Sequence, residues 1–329
     1  MTLRTGIRLV LHVGQSKTGT SSIQQFLAER DAALQRDGIL YPRCGRQGGA
    51  HHPFAALFLL NPTRAPWIRR ISRETLEQQL SDEIRRAAPR AVIMSSEVFF
   101  GVRPIRRVKR MFEAFDLAIA AMLRRQDRWA NSMYEHQVKT GQTDLEPALW
   151  LEQHRRTLDY RARLERWADA CGDGAIRIGV FEPARLREGL LAHLFRTCGL
   201  ETSVDLSGME VRNERLSRDA LEYLRELNRA GLPDAERRWL RPALEAYSRQ
   251  RPDPLHLRFS FSPQQRQSIL DACAAGNAEV ARRFLGRADG VLFEDMAIES
   301  QYEPYPGLPE ATRRQIAAFI ASQAKATTS

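Results

Sequence analysis

The sequence predicts an α/β fold: a three-layer sandwich with a central parallel sheet, joined to a helical C-terminal part. Three observations predict it. Residues 8–34 pass from a short apolar run through a Gly/Ser/Thr loop into a helical period. The apolar runs at 91–97 and 116–123 suit strands buried on both faces, and helical patterns separate them. Strand signals stop near residue 200, and the pattern beyond is helical. The expected division is an α/β core over 1–200 and a helical part over 201–329 that packs on it.

In chain order, Arg8 to Val13 is the first strand, with His12 as a buried residue whose ring is satisfied by hydrogen bonds. The helix after the loop carries Ile23, Phe26, Leu27 and Leu34 on one face and ends near Arg36, with Gly38 as its stop. A short extended piece at 39–42 and a Gly/Arg-rich loop at 43–50 lead to His51, His52 and a helical patch over 54–60. Residues 73–88 form a helix with Leu76, Leu80 and Ile84 inward, broken by Pro89. The strand at 91–97 ends in Ser95, Ser96 and Glu97. In an open α/β sheet the C-terminal strand ends line the ligand crevice, so Glu97 stands where chemistry is expected. It also reads as a carboxylate that pairs with an Arg or caps the next helix.

Asp116 to Leu123 is the next buried strand, followed by Arg124 and a helix that carries Ser132 and stops at Gly141. His136 and Lys139 on that helix read as a solvated face. A helix over 147–171, a strand over 175–181 whose alternation places it toward the sheet edge, and a helix over 185–198 complete the core. Residues 211–217 are a polar linker with Ser217 as N-cap. Helices follow near 234–249 and 263–285, the second opened by a Ser262/Gln265 capping box and bent at Gly276–Asn277. A last helix over 309–324 gives way to a polar, disordered tail.

The loop carries the chemistry. A strand–loop–helix unit aims the first-turn N–H groups and the positive end of the helix dipole at one point, which suits an anion. Lys17 adds a full charge, and Thr18, Thr20, Ser21 and Ser22 add hydroxyl donors. A nucleotide-triphosphate loop requires G-x-x-x-x-G-K-[ST]. Gly14 and Gly19 have that separation, but Thr20 stands where the Lys belongs. The plain alternative is a glycine turn that merely joins strand to helix. Only Lys17, Lys109, Lys139 and Lys325 are lysines among 50 Lys and Arg residues, so a compact ammonium in this loop is a selective choice.

The formal charge of +10 implies attraction to anions. No run of five like charges and no basic/aromatic single-strand pattern occurs, which argues against nucleic acid. Residues 9–13 are too short for a signal core, and no apolar run approaches membrane-spanning length. Cys44, Cys171, Cys198 and Cys273 are scattered and form no metal spacing with the seven histidines, as expected for free thiols of a reducing cytoplasm.

The order Lys17-Thr18-Gly19-Thr20-Ser21 resembles the 5′-phosphosulfate loop of sulfotransferases that use 3′-phosphoadenosine 5′-phosphosulfate (PAPS). Arg124 at a strand end, with Ser132 eight positions later on a helix, resembles their 3′-phosphate motif. Alone, that pair also reads as a surface Arg and a helix Ser. The resemblance is to the bacterial branch of the superfamily, whose P-loop-like fold is related to that of nucleotide kinases. It covers residues 8–200 and extends loosely beyond.

The resemblance implies sulfuryl transfer from PAPS to a hydroxyl or amine, without a metal, leaving 3′-phosphoadenosine 5′-phosphate (PAP). Gln15, Ser16, Lys17, Thr18, Gly19, Thr20, Ser21 and Ser22 would cradle the 5′ end, with Lys17 at the bridging oxygen. Arg124 and Ser132 would hold the 3′-phosphate. Arg212 and Asn213 are loose equivalents of a basic segment that folds over the nucleotide, and equally a solvated linker. Glu97 is the first candidate base, with His51 or His52 in reserve. The C-terminal helices would roof the acceptor cleft. The acceptor is a small molecule or a glycan; the arginine excess suits an anionic glycan or glycolipid, met at a membrane surface without a membrane span. Two other classes stay open: a magnesium/ATP-dependent small-molecule kinase, and a non-catalytic binder of PAP or acidic glycans.

Overall fold

A computed structural model describes residues 6–61, 63, 65–207, 215–254, 257–299 and 301–327. The elements run β1 (Arg8–His12), α1 (Thr20–Glu29), α2 (Asp31–Arg36), β2 (Ile39–Leu40), α3 (His52–Ala56), α4 (Arg73–Ala87), β3 (Ala91–Ser95), α5 (Ile105–Met111) and β4 (Asp116–Leu123). They continue with α6 (Gln126–Lys139), α7 (Pro147–His154), α8 (Tyr160–Cys171), β5 (Ile176–Val180), α9 (Leu190–Cys198), α10 (Arg218–Arg229), α11 (Asp234–Gln250), α12 (Pro263–Leu285) and α13 (Glu310–Thr327).

The fold is α/β with a parallel five-stranded sheet in the order β2-β3-β1-β4-β5. β1 lies at its centre, with His12 in register with Ser95 of β3 and Ala120 of β4. Successive side chains leave opposite faces of a strand. Leu9, Leu11, Val92, Met94, Ile119 and Ala121 therefore pack on one side with α4, α5 and α8. Val10, Ile93, Ala118, Ala120 and Met122 pack on the other with α1 and α9. Both faces are covered, which is why β3 and the C-terminal part of β4 read as unbroken apolar runs. β5 takes the edge expected from its alternation.

The chain forms two compact units, and they interleave. The first comprises Met1–Arg125, Tyr160–Val211 and Ala275–Glu294; the second comprises Gln126–Asp159, Arg212–Ala274 and Asp295–Ser329. The expected cut near residue 200 does not coincide with this division. Its cause is α6: Trp129, Ala130, Tyr134 and Val138 share a core with Leu224 of α10, Leu244 of α11 and Ile316 of α13.

The same division explains why 147–171 is not one helix. Trp150, Leu151 and Leu158 belong to the second unit's core, whereas Leu164 and Trp167 belong to the first's. A 3₁₀ turn at Arg155–Leu158 and an extended Asp159 separate the two stripes. The first helix is also interrupted, at Arg30 (φ −103°, ψ 11°), so that α2 opens with Asp31, whose carboxylate meets Arg43 and Arg46 at 3.0 Å each. The capping box of α12 is present: Ser262 N donates to Gln265 Oε1 at 2.8 Å, and Gln265 N donates to Ser262 Oγ at 3.2 Å. α12 runs unbroken through Gly276 and Asn277. α13 reaches Thr327, where a disordered tail was expected.

Candidate functional site

The loop from Gly14 to Thr20 lies in the first unit, between the C-terminal end of β1 and the start of α1. Gly14 and Gly19 have φ of 76° and 78°, a region that side chains disfavour. A Cβ would be crowded at either. One at Gly14 would stand 2.8 Å from Glu97 Cβ, and one at Gly19 would run into Leu190 Cδ2. Between them Lys17 has φ of 67°, left-handed without being glycine. Such strain costs about 1–2 kcal/mol, and it persists where the surroundings enforce it.

Two contacts enforce it. Arg124 Nη1 donates to the Lys17 carbonyl at 3.2 Å, and Thr18 Oγ1 donates to the Gln15 carbonyl at 2.5 Å. The Thr18 hydroxyl is thus spent inside the loop, and its side chain is buried, as is that of Thr20. Ser16, Lys17 and Ser22 are half-buried and Ser21 is exposed. α1 begins at Gly19 with no side-chain cap and no acidic residue in its first turn. Its N-terminus thus keeps its positive character.

Gln15 is 2% exposed, and neither Oε1 nor Nε2 has a hydrogen-bond partner among the described residues. A buried amide of this kind fits a ligand that hydrogen-bonds at the loop. The double-glycine cradle, the Lys17 ammonium and the uncapped helix fit an anionic group there. These are the residues that would hold the 5′ end of a nucleotide.

Arg124 lies at the end of β4, with its guanidinium carbon 5.6 Å from the Phe181 ring centroid. Its carbonyl accepts from Tyr160 Oη at 2.5 Å. An arginine expected to grip a 3′-phosphate thus also holds the loop. Ser132 is half-buried on α6, in the second unit. Arg212 and Asn213 lie outside the described residues.

Glu97 follows β3 and opens a 3₁₀ turn, Glu97–Gly101. The backbone of Ser96 donates to the His12 carbonyl at 3.0 Å, which seats Glu97 against Gly14. Gln24 of α1 donates from Nε2 to Glu97 Oε2 at 2.9 Å and to Ser95 Oγ at 3.3 Å. Ser95 Oγ also meets His12 Nδ1 at 2.8 Å. The carboxylate is therefore oriented by a buried chain of side chains that starts inside the sheet. The reading of His12 needs one correction: only Nδ1 is satisfied, and Nε2 has no partner among the described residues. Burial lowers the pKa of His12 to about 4, against a smaller opposite pull from the Glu97 charge.

The two reserve histidines differ. His51 is fully buried, Ser95 N donates to its Nδ1 at 3.1 Å, and its Nε2 lies 2.9 Å from the Pro42 carbonyl. The first bond makes Nδ1 the acceptor and puts the proton on Nε2, so both nitrogens are used. Burial lowers its pKa to about 3. This geometry makes His51 a brace between two loops. His52 places Nδ1 2.9 Å from Ser96 Oγ and packs edge-on against Trp67 at 4.9 Å between ring centroids. Burial lowers its pKa, and the Glu97 charge acts to raise it.

Sequence reasoning missed Gln24, Ser95 and Ser96 as parts of this site. The signal available was a polar Ser-Ser pair ending an apolar strand; nothing marked Gln24. Among the described residues no group of three or more His, Cys, Asp or Glu is placed to hold a metal ion, and no helix is long and apolar enough to cross a membrane.

No family model and no curated protein matches this sequence. Among solved structures, the chain is similar to the sulfotransferase from Alicyclobacillus acidocaldarius, at 23% identity and a TM-score of 0.45. The match covers 72% of this chain and 94% of that one. At that distance the likeness settles neither fold nor chemistry, and both are read from this chain's own geometry.

Proposed function

We propose that the protein is a sulfotransferase that takes a sulfuryl group from PAPS to a hydroxyl or amine. The observation that carries this reading is the Gly14–Gly19 loop. At Gly14 the Glu97 backbone and Cβ leave no room for a Cβ, at Gly19 a Leu190 methyl crowds one, and between them Lys17 is held in a left-handed conformation just before α1. The Lys-before-Gly order supports the sulfate donor over a nucleotide triphosphate.

When bound, the donor would supply a sulfuryl group to the acceptor's oxygen or nitrogen, with its 5′-phosphate as the leaving group. Lys17 and the first-turn N–H groups of α1 neutralise charge growing on that phosphate. Arg124 holds the Lys17 carbonyl in place and is the proposed partner of the 3′-phosphate. Glu97, oriented by Gln24, takes the acceptor's proton. The fixed geometry of Glu97 against Gly14 keeps base and loop in register.

The test is incubation with sulfate-labelled PAPS and a broad acceptor extract. Label passing to an acceptor, lost in Lys17→Ala, supports the reading. No transfer to any fraction, or transfer that Lys17→Ala leaves unchanged, overturns it.

A further inference from the structure

We infer that the acceptor is a neutral, hydroxyl-rich ring, a sugar or cyclic polyol without acidic groups, seated in a cleft beside α1. The inference rests on the sulfuryl-transfer reading. The cleft measures about 500 Å³ and lies wholly within the first unit. Ser21, Gln24, Gln25 and Glu29 form its α1 wall; residues 47–50 and His52 form the other.

Its chemistry is unlike that of the chain as a whole. The protein has 50 Lys and Arg residues, yet none is among the described residues that line this cleft. The charged group there is the Glu29 carboxylate, with Gln25 Nε2 donating to it at 2.8 Å. An anionic glycan would meet a like charge at Glu29 and no Lys or Arg among the lining residues. Amide side chains carry both donors and acceptors, which is the pairing that hydroxyl groups need.

A stacking surface lies at the rim. Trp67 is 54% exposed while its ring meets His52 of the cleft wall. Gln47 ties it there: Nε2 donates to the Trp67 carbonyl at 2.8 Å, and Oε1 accepts from Arg69 N at 2.8 Å. An indole is flat and apolar with a polar edge, so it suits the C–H face of a sugar ring whose hydroxyls point to amides. The cleft also leads to the chemistry. Gln24 is both wall residue and donor to Glu97, His52 meets the Ser96 hydroxyl, and Ser21 lies in the first turn of α1 behind the phosphate loop.

The test uses the full chain and two separate titrations. Calorimetry with PAP tests the donor reading alone. Tryptophan fluorescence then follows a panel of neutral disaccharides and a matched panel of uronic-acid disaccharides, in wild type and in Trp67→Ala, with melting temperature as the check on folding. The expected result is a neutral preference of about tenfold or more. The response should vanish in a folded Trp67→Ala, and Glu29→Lys should narrow the preference. Equal or better binding of the acidic panel, an unchanged response in Trp67→Ala, or no binding of either panel overturns the inference. If PAP fails to bind while neutral sugars bind through Trp67, the sugar cleft stands and the transfer reading falls.

Discussion

Gln24 donates from Nε2 to Glu97 Oε2 at 2.9 Å, which ties the helix that starts at the Gly14–Gly19 loop to the residue that opens the turn after β3. The candidate base is thus positioned by the same element whose first-turn N–H groups are proposed to bind the anion. Glu97→Gln keeps the side-chain shape and removes the proton acceptor. Its kcat should fall by about 10²–10⁴-fold with PAP affinity unchanged, general-base contributions being of that size. Wild-type turnover of Glu97→Gln with its true acceptor would remove Glu97 as base.

Lys17 separates stability from activity. At φ of 67° a glycine avoids about 1–2 kcal/mol of left-handed strain, against about 0.5–1 kcal/mol of extra chain entropy. Lys17→Gly should therefore melt above Lys17→Ala, by about 1 kcal/mol in denaturant titrations. Both should lose transfer by about 10²–10³-fold, the usual effect of deleting a donor to developing charge. Lys17→Arg should not restore it, because a planar fork does not replace a compact ammonium.

Gly19 is required for two reasons that a double-mutant cycle separates. Gly19→Ala meets Leu190 Cδ2 and strains a φ of 78°. Leu190→Ala removes the clash and leaves the strain. Gly19→Ala should cost more in the wild-type background than in Leu190→Ala, with a coupling of about 1 kcal/mol or more. Equal costs in both backgrounds would mean that the close approach to Leu190 is unimportant.

His12 and His51 predict acid sensitivity. In the unfolded chain each takes a proton below about pH 6.5. In the folded chain burial delays this to about pH 4 for His12 and about pH 3 for His51. Between these limits the unfolded state binds more protons. Stability should fall as pH drops from about 6.5, by about 1.4 kcal/mol per pH unit for each histidine. Urea titrations between pH 7 and pH 5 should show this slope, and His12→Phe should reduce it. A stability independent of pH over that range would contradict the buried neutral state of both rings.

Much of the fold was legible because parallel strands buried on both faces leave unbroken apolar runs, as at 91–95 and 118–123. The strand–loop–helix placement of Gly14 to Thr20 was legible because it is set by local spacing. Ser262 and Gln265 were legible for the same reason: a capping box closes within four residues. Gln24 was not, since its role depends on α1 lying beside the end of β3, a register set by packing. His51 stood in reserve as a base, and the engagement of both its ring nitrogens was hidden because Pro42 and Ser95 meet it only in three dimensions. The interleaving of the units was hidden because an apolar stripe does not say which core it joins. Trp150 and Trp167 lie in one predicted helix and in two different cores.

The central claim is that the Gly14–Gly19 loop holds the 5′ end of an adenylate donor with Lys17 as counter-charge. Calorimetric titration with PAP in the presence of a metal chelator tests it most directly. The account predicts saturable binding to wild type that weakens in Lys17→Ala and again in Gly19→Ala. No heat with PAP, or binding that neither variant alters, would contradict it.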